Sequence, residues 1–307
     1  MKIHFGGNVM RIGVLMGGCS SERQVSLLTG EEIIKNLNKD KYHVIPIIIN
    51  SKEEVFEKIK NVDFVFIALH GEFGEDGCIQ SILETLNLPY SGSNPLTSAL
   101  CMNKQQSKRI LKCEGINVAK GICLKKSDFL NDSTSSKLRY PLIVKPNNGG
   151  SSIGVSLIND KNELNAALEA AFLYCEEVLI EEFLDGKEYT VPILNGAALP
   201  TLEISFNSSF FNYEAKYASQ DTIEEVASLP KELKEDIEAI AEKSYELLDC
   251  KAYARVDIIV SNGKPYVLEL NTLPGMTSAS LFPKSAKAAH IEFSELLDKI
   301  IEYSLNK

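Results

Sequence analysis

Three side chains in the last quarter of the chain have the types and spacing to hold a hard cation. Asp257 lies in Ala254-Arg-Val-Asp-Ile-Ile-Val260, and Glu269 and Asn271 lie in Tyr266-Val-Leu-Glu-Leu-Asn271. Carboxylates inside otherwise apolar strands are costly unless something cationic meets them. Two carboxylates and an amide oxygen suit Mg²⁺, which takes oxygen ligands and bridges phosphates. The two runs flank Ser261-Asn-Gly-Lys264, a hairpin signal. Register sets a condition here. A regular ladder closed by a two-residue Asn262-Gly263 turn puts Asp257 opposite Leu268 and turns Glu269 to the other face. Metal binding therefore requires a three-residue loop or an equivalent bulge. The plainer alternative is a structural ion pair between Asp257 and Arg255 or a lysine.

A second group surrounds Lys145, which is followed by Pro146-Asn-Asn-Gly-Gly-Ser-Ser-Ile-Gly154. Gly150-Ser-Ser152-Ile-Gly154 matches the G-x-S-x-G elbow of serine hydrolases, but an elbow needs a strand running directly into the serine and a helix leaving it. Here four residues intervene and the exit, Val155–Ile158, is strand-like. The segment is expected to be a hairpin tip whose backbone N–H groups can close over phosphates, with Lys145 at its base; a plain flexible hairpin is the other reading. Walker A and GxGxxG patterns are absent. His70 opens His70-Gly-Glu-Phe-Gly-Glu-Asp-Gly77 directly after an apolar run, the position at which open α/β sheets bind ligands. Glu22, just past Gly17-Gly18, is either a first-turn carboxylate stabilised by the helix dipole or an acceptor for a substrate ammonium. The four histidines lack metal-ligand spacing, which argues against zinc.

The elements that must position these groups follow from the apolar pattern. Ile12–Met16, Val44–Ile49 and Phe64–Leu69 read as buried parallel strands, and Ser21-x-x-Gln24 as a capping box opening a helix. The rhythm is βαβ, so an open α/β sheet is expected over about residues 10–95. Further on, a helix is expected at Lys104–Cys113, a hairpin-like pair at Leu142–Lys145 and Val155–Ile158, a helix at Glu163–Ala171 and a strand at Val178–Glu181. The last section predicts strands at Tyr189–Leu194, Ala198–Ile204, Ala254–Val260 and 265–271. It also predicts a helix over Lys231–Leu248, with Leu233, Ile237, Ile240 and Leu247 on one stripe. Residues 205–229, rich in Ser, Asn and Tyr, read as a long loop and a candidate lid.

At 307 residues the chain has length for two or three domains. Thirty-two basic against 42 acidic residues, a net charge of −10, argue against nucleic acid and anionic membranes as partners. The apolar runs are too short to span a bilayer. Seven scattered cysteines without CxxC spacing, and no signal-peptide core, predict a cytoplasmic protein.

Taken in order, Gly17-Gly-Cys-Ser-Ser-Glu-Arg-Gln-Val-Ser26, the HGEFGEDG run, Lys145-Pro with its Gly/Ser loop, Tyr213-Glu-Ala-Lys-Tyr217, Arg255-Val-Asp257 and Glu269-Leu-Asn-Thr-Leu-Pro-Gly-Met-Thr-Ser278 resemble the D-alanine–D-alanine ligase family of the ATP-grasp superfamily. The resemblance runs from about residue 11 onward. It implies an α/β fold with an N-terminal open parallel-sheet domain over 1–98, a central ATP-grasp domain over 99–185 and a C-terminal one over 186–307. It implies ATP-dependent joining of two D-alanines through an acyl phosphate, for peptidoglycan precursors, with a D-alanyl-D-lactate or other D-amino-acid ligase as the alternative. ATP would be met by Lys104, Lys145, Ser151, Ser152 and Lys216 at the phosphates, Glu181, Glu182, Phe183 and Leu184 at the adenine edge, and Glu188 at the ribose. Two Mg²⁺, or Mn²⁺, would lie on Asp257, Glu269 and Asn271. Glu22 with Ser151 and Tyr217 would orient the first D-alanine, with His70 in the same pocket. Arg255 and the Gly275 N–H would face the oxyanion, and Ser280 and the Leu281 N–H the second carboxylate. A homodimer is expected. The chain departs from the family pattern at Asn103, where the family usually has aspartate, and at Gly149-Gly150, where a charged approach to the loop is commoner.

Overall fold

The structure is a computed structural model that describes residues 4–5, 8–130, 138–150, 153–206 and 222–306. In the first part, β1 (His4–Phe5), β2 (Asn8–Gly17), β3 (Tyr42–Ile49) and β4 (Phe64–Ile67) form one sheet. β2 lies parallel to both β3 and β4, while β1 pairs with its start in antiparallel fashion. All four side chains of β4 are buried, as expected for a strand covered on both faces. Helix α1 (Arg23–Asn36) crosses between β2 and β3, and short helices α2 (Glu54–Lys58) and α3 (Cys78–Thr85) follow. The expected capping box is absent: α1 begins after Glu22 with no side-chain cap. Ser20, not Ser21, accepts from the Glu22 N–H, and its hydroxyl donates to the His70 carbonyl at 2.7 Å. The Ser20 hydroxyl thus ties the start of the helix to a loop fifty positions away.

Two helices then lead into a second sheet. In α4 (Pro95–Met102), Asn94 caps the helix and proline sits in the first turn; in α5 (Lys104–Cys113), the Asn103 side chain accepts from the Gln106 N–H at 3.0 Å. Asparagine thus supplies the capping oxygen that an aspartate there would offer. The second sheet comprises β5 (Gly121–Lys125), β6 (Leu142–Pro146), β7 (Ser156–Ile158) and β8 (Glu177–Glu182), in the order β5-β8-β6-β7 and antiparallel throughout. Helix α6 (Lys126–Leu130) follows β5, and α7 (Lys161–Ala171) buries Leu164, Ala167, Leu168 and Ala171 against the sheet.

The third sheet is built from β9 (Lys187–Leu194), β10 (Ala197–Ala198), β11 (Leu202–Phe206), β12 (Thr222–Val226), β13 (Tyr253–Ser261) and β14 (Lys264–Asn271), ordered β12-β11-β9-β13-β14 with β10 beside β9. The strand expected at Ala198–Ile204 is therefore two separate pieces. The segment 205–229 is not one loop, since its ends belong to β11 and β12; residues 207–221 between them lie outside the described residues. Helix α8 (Lys231–Leu247) packs on this sheet through Ile237, Ala241 and Tyr245. Last come α9 (Leu281–Ala288) and α10 (Phe293–Leu305). They return to the first sheet: Phe282, Leu296, Leu297, Ile300 and Ile301 share one buried cluster with Met10, Ile12, Ile33 and Phe64. An ion pair from Lys41 to Asp298, and a 3.1 Å bond from the Gly92 N–H to Ser304 Oγ, fasten that return.

Candidate active site

A cleft of about 440 Å³ opens between the second and third sheets. Apolar walls, Ile143, Val155 and Leu157 on one side and Ile259 and Leu268 on the other, face a polar floor of Lys104, Lys145, Glu181, Glu188, Asp257 and Glu269. The backbone segment Glu181–Leu184 forms its edge. An apolar slot with few convergent polar groups is the usual make-up of a small-molecule site.

The hairpin β13–β14 meets the register condition. Asn262 and Gly263 both have positive φ (50° and 74°) and make a two-residue turn, with Ser261 opposite Lys264. From that turn the ladder runs regularly to Ile258 opposite Val267. A bulge at Leu268 then shifts it, so that Asp257 faces Glu269 and Arg255 faces Asn271. Both carboxylates line the cleft. Each already has a cation. Arg255 grips Asp257 bidentately (2.9 and 2.7 Å), and Thr190 Oγ1 donates to the same carboxylate at 2.6 Å. Lys104 lies 3.1 Å from Glu269 and donates to the Gly149 carbonyl at 2.5 Å, tying the Gly-rich loop to the hairpin. The Asn271 amide oxygen accepts from the Leu273 N–H at 2.9 Å. Oxygen is thus the only ligand type this hairpin offers, and no group of three or more His, Cys, Asp or Glu able to hold a metal occurs among the described residues. That donor set fits Mg²⁺ or Mn²⁺ and not a thiolate- or imidazole-seeking ion.

Lys145 sits at the base of the loop, but its ammonium faces Glu181 at 2.8 Å. A third partner, missed in the sequence, completes the set: Lys108 donates to the other Glu181 oxygen. Burial alone would raise the Glu181 carboxyl; the two lysines outweigh it and hold it at about 2. Glu182 accepts from the Lys120 N–H at 3.0 Å, and Glu188 is buried on β9.

Glu22, at the N-terminal boundary of α1, does not itself line that cleft. A methyl group at Gly71 would stand 2.7 Å from Glu22 Oε2, and one at Gly150 would stand 3.8 Å from Oε1. The carboxylate therefore lies between the turn after His70 and the Gly-rich loop. His70 is buried, with Nε2 3.0 Å from Thr29 Oγ1 and Nδ1 3.8 Å from Glu75. Ser280 is the N-cap residue of α9 yet does not cap it; its hydroxyl pairs with Thr277 (2.8 Å), and a side chain at Gly275 would approach Ser280 Oγ to 2.9 Å. The first N–H groups of α9, from Leu281 on, thus receive no capping oxygen from Ser280. Ser151, Ser152, Lys216 and Tyr217 lie outside the described residues.

Family models for the N-terminus and C-terminus of D-ala D-ala ligases match residues 11–58 and 51–93, and residues 110–302. A D-alanine–D-alanine ligase of Bacillus anthracis is 53% identical over 96% of this chain and 97% of its own length. One of Clostridium botulinum is 50% identical over 96% and 99%. The crystal structure of the B. anthracis ligase complexed with ATP superposes with a TM-score of 0.88, at 50% identity, over 97% of this chain and 98% of that one.

Proposed function

Because the chain belongs to the D-alanine–D-alanine ligase family, we infer that the cleft between its second and third sheets is where ATP meets D-alanine. The protein has the ATP-grasp fold and is an ATP-dependent ligase that makes D-alanyl-D-alanine for peptidoglycan. The observation that carries the site reading is the cleft itself, whose floor puts lysines beside two paired carboxylates and whose walls are apolar.

In this reading an oxygen of the first D-alanine carboxylate bonds to the γ-phosphorus of ATP as the bridging P–O bond breaks, giving ADP and D-alanyl phosphate. The amine of the second D-alanine then bonds to the carbonyl carbon. The acyl C–O bond breaks, phosphate leaves and the nitrogen loses a proton. Lys145 and Lys104 neutralise phosphoryl charge. Asp257, Glu269 and Asn271 hold two Mg²⁺, which when bound supply further charge neutralisation at the phosphates; Mn²⁺ can substitute. Glu22 takes the first ammonium, beside His70, with Ser151 and Tyr217 completing that contact and Ser152 and Lys216 closing on ATP. The adenine edge lies along Glu181, Glu182, Phe183 and Leu184, and the ribose meets Glu188. Arg255, whose guanidinium holds Asp257 bidentately, faces the oxyanion together with the Gly275 N–H. Ser280 and the Leu281 N–H at the start of α9 take the second carboxylate, where the helix dipole favours an anion.

The same proposal includes units at 1–98, 99–185 and 186–307, a homodimer and a cytoplasmic location; no described helix is long and apolar enough to cross a membrane. ADP release assayed with D-alanine, L-alanine and D-lactate tests the substrate. Turnover with D-alanine alone and not with L-alanine is expected. Preferential ester formation with D-lactate at neutral pH would favour a depsipeptide ligase instead.

A further inference from the structure

Lys108 stands one helical turn beyond Lys104 on α5, its side chain 7% exposed, behind a cleft that Lys145 lines and it does not. Its ammonium donates to Glu181 Oε1 while Lys145 holds Oε2, so a buried lysine and a lysine at the cleft surface share one buried anion. The two lysines are not equivalent. Burial, and then the Lys145 charge, depress Lys108 to about 7 against the pull of Glu181. Burial would depress Lys145 too, but Glu181, with Glu269 behind it, raises it above the ordinary lysine range.

A nucleotide phosphate arriving in the cleft must take Lys145 from Glu181. Were Lys145 the only cation there, its departure would leave a carboxylate buried without a counter-charge, a strongly disfavoured state. We propose that Lys108 is a positioning residue for nucleotide binding: it keeps Glu181 satisfied, so that the Lys145 ammonium can exchange a carboxylate for phosphate oxygens. This rests on Lys145 being a phosphate contact in the reading above. Lys108 touches neither substrate nor reacting atoms and acts only through Glu181.

The test is calorimetric titration of the full chain with the ATP analogue AMP-PNP plus Mg²⁺, and separately with adenosine, which lacks phosphates. Lys108→Met should weaken AMP-PNP about tenfold and change adenosine by less than about twofold. Adding Glu181→Gln to Lys108→Met removes the anion that retains Lys145. Because Glu181 also edges the adenine in the reading above, AMP-PNP affinity is taken relative to that of adenosine in the same variant, and this ratio should return towards wild type. Unchanged AMP-PNP affinity in Lys108→Met, an equal loss for adenosine, or no recovery in the double variant overturns the proposal. Lys108→Gln carries the same expectation should the methionine variant not fold. Lys145→Met separates the two levels of inference. If it leaves AMP-PNP affinity unchanged, the phosphate role of Lys145 fails and the proposal with it; if it weakens binding while Lys108→Met does not, the role of Lys108 alone is refuted.

Discussion

In the parallel sheet, β4 is buried along its whole length and carries no polar side chain; chemistry begins only past its carboxyl end, at His70 and Gly71. In the antiparallel sheet the strands themselves carry it. Val256 and Ile258 on β13 are fully buried in the cluster under α8, while Asp257 and Ile259, between and beyond them, line the cleft. The difference follows from what covers each strand. A parallel strand packed on both faces has no side on which a charge can stand, so its sites gather at strand ends. A hairpin with one face on a core and the other on a cleft can alternate apolar and charged residues, and the bulge at Leu268 then brings two carboxylates together.

If that division of labour holds, substitutions in the two regions should fail in different assays. The largest effect is expected from Glu269→Gln. Losing one carboxylate of the hairpin should lower kcat/KM by about a thousandfold, about 4 kcal/mol of transition-state stabilisation, with the thermal midpoint nearly unmoved. Near-normal turnover at saturating Mg²⁺ would remove this hairpin from the chemistry. Phe66→Ala in β4 should do the reverse, costing about 3–5 kcal/mol of stability in chemical denaturation while the folded fraction keeps its kcat. A selective fall in kcat without loss of stability would mean that the parallel sheet does more than support. The smallest effect is expected at Tyr217, proposed to contact substrate through its hydroxyl. Tyr217→Phe should shift the D-alanine to D-lactate specificity ratio towards lactate by about 1–3 kcal/mol, the cost of leaving polar partners unsatisfied. An unchanged ratio would leave Tyr217 a packing role only.

Much of this was legible in the sequence where burial is apolar. The run at 64–67 is a strand buried along its length, as its apolar residues predict. The equally apolar run at 44–49 is also a strand but lies at the sheet edge with Pro46 and Ile48 exposed, so apolar content alone did not tell an edge strand from a covered one. The need for a bulge could be stated from the count of residues between Asp257 and Glu269, although its position at Leu268 could not. Lys108 was missed for a physical reason. Apolar periodicity finds helix faces that meet a core, whereas the inward face of α5 is Lys104, Ser107, Lys108 and Leu111. A signal existed in the spacing, since 104, 108 and 111 fall on one stripe, but only the partner Glu181, seventy-three residues away, makes that stripe interpretable. The capping box failed as well: the helix starts one residue later than Ser21 would set it, with Glu22 at its boundary and no side-chain cap. For α10 the spacing of Leu296, Leu297, Ile300 and Ile301 marks an amphipathic helix, but spacing does not say which sheet it covers.

The return of α10 to the first sheet bears on how the protein comes into being. A ribosome delivers β2, β3 and β4 long before the side chains that share their core, Leu297 and Ile301 among them, which follow β4 by more than two hundred residues. Contacts of such long sequence separation require loop closure before they contribute, which slows folding. Until residues 293–305 emerge, part of the apolar surface around Met10 and Ile33 lacks its native cover, the state in which nascent chains are most prone to aggregate and most dependent on chaperones.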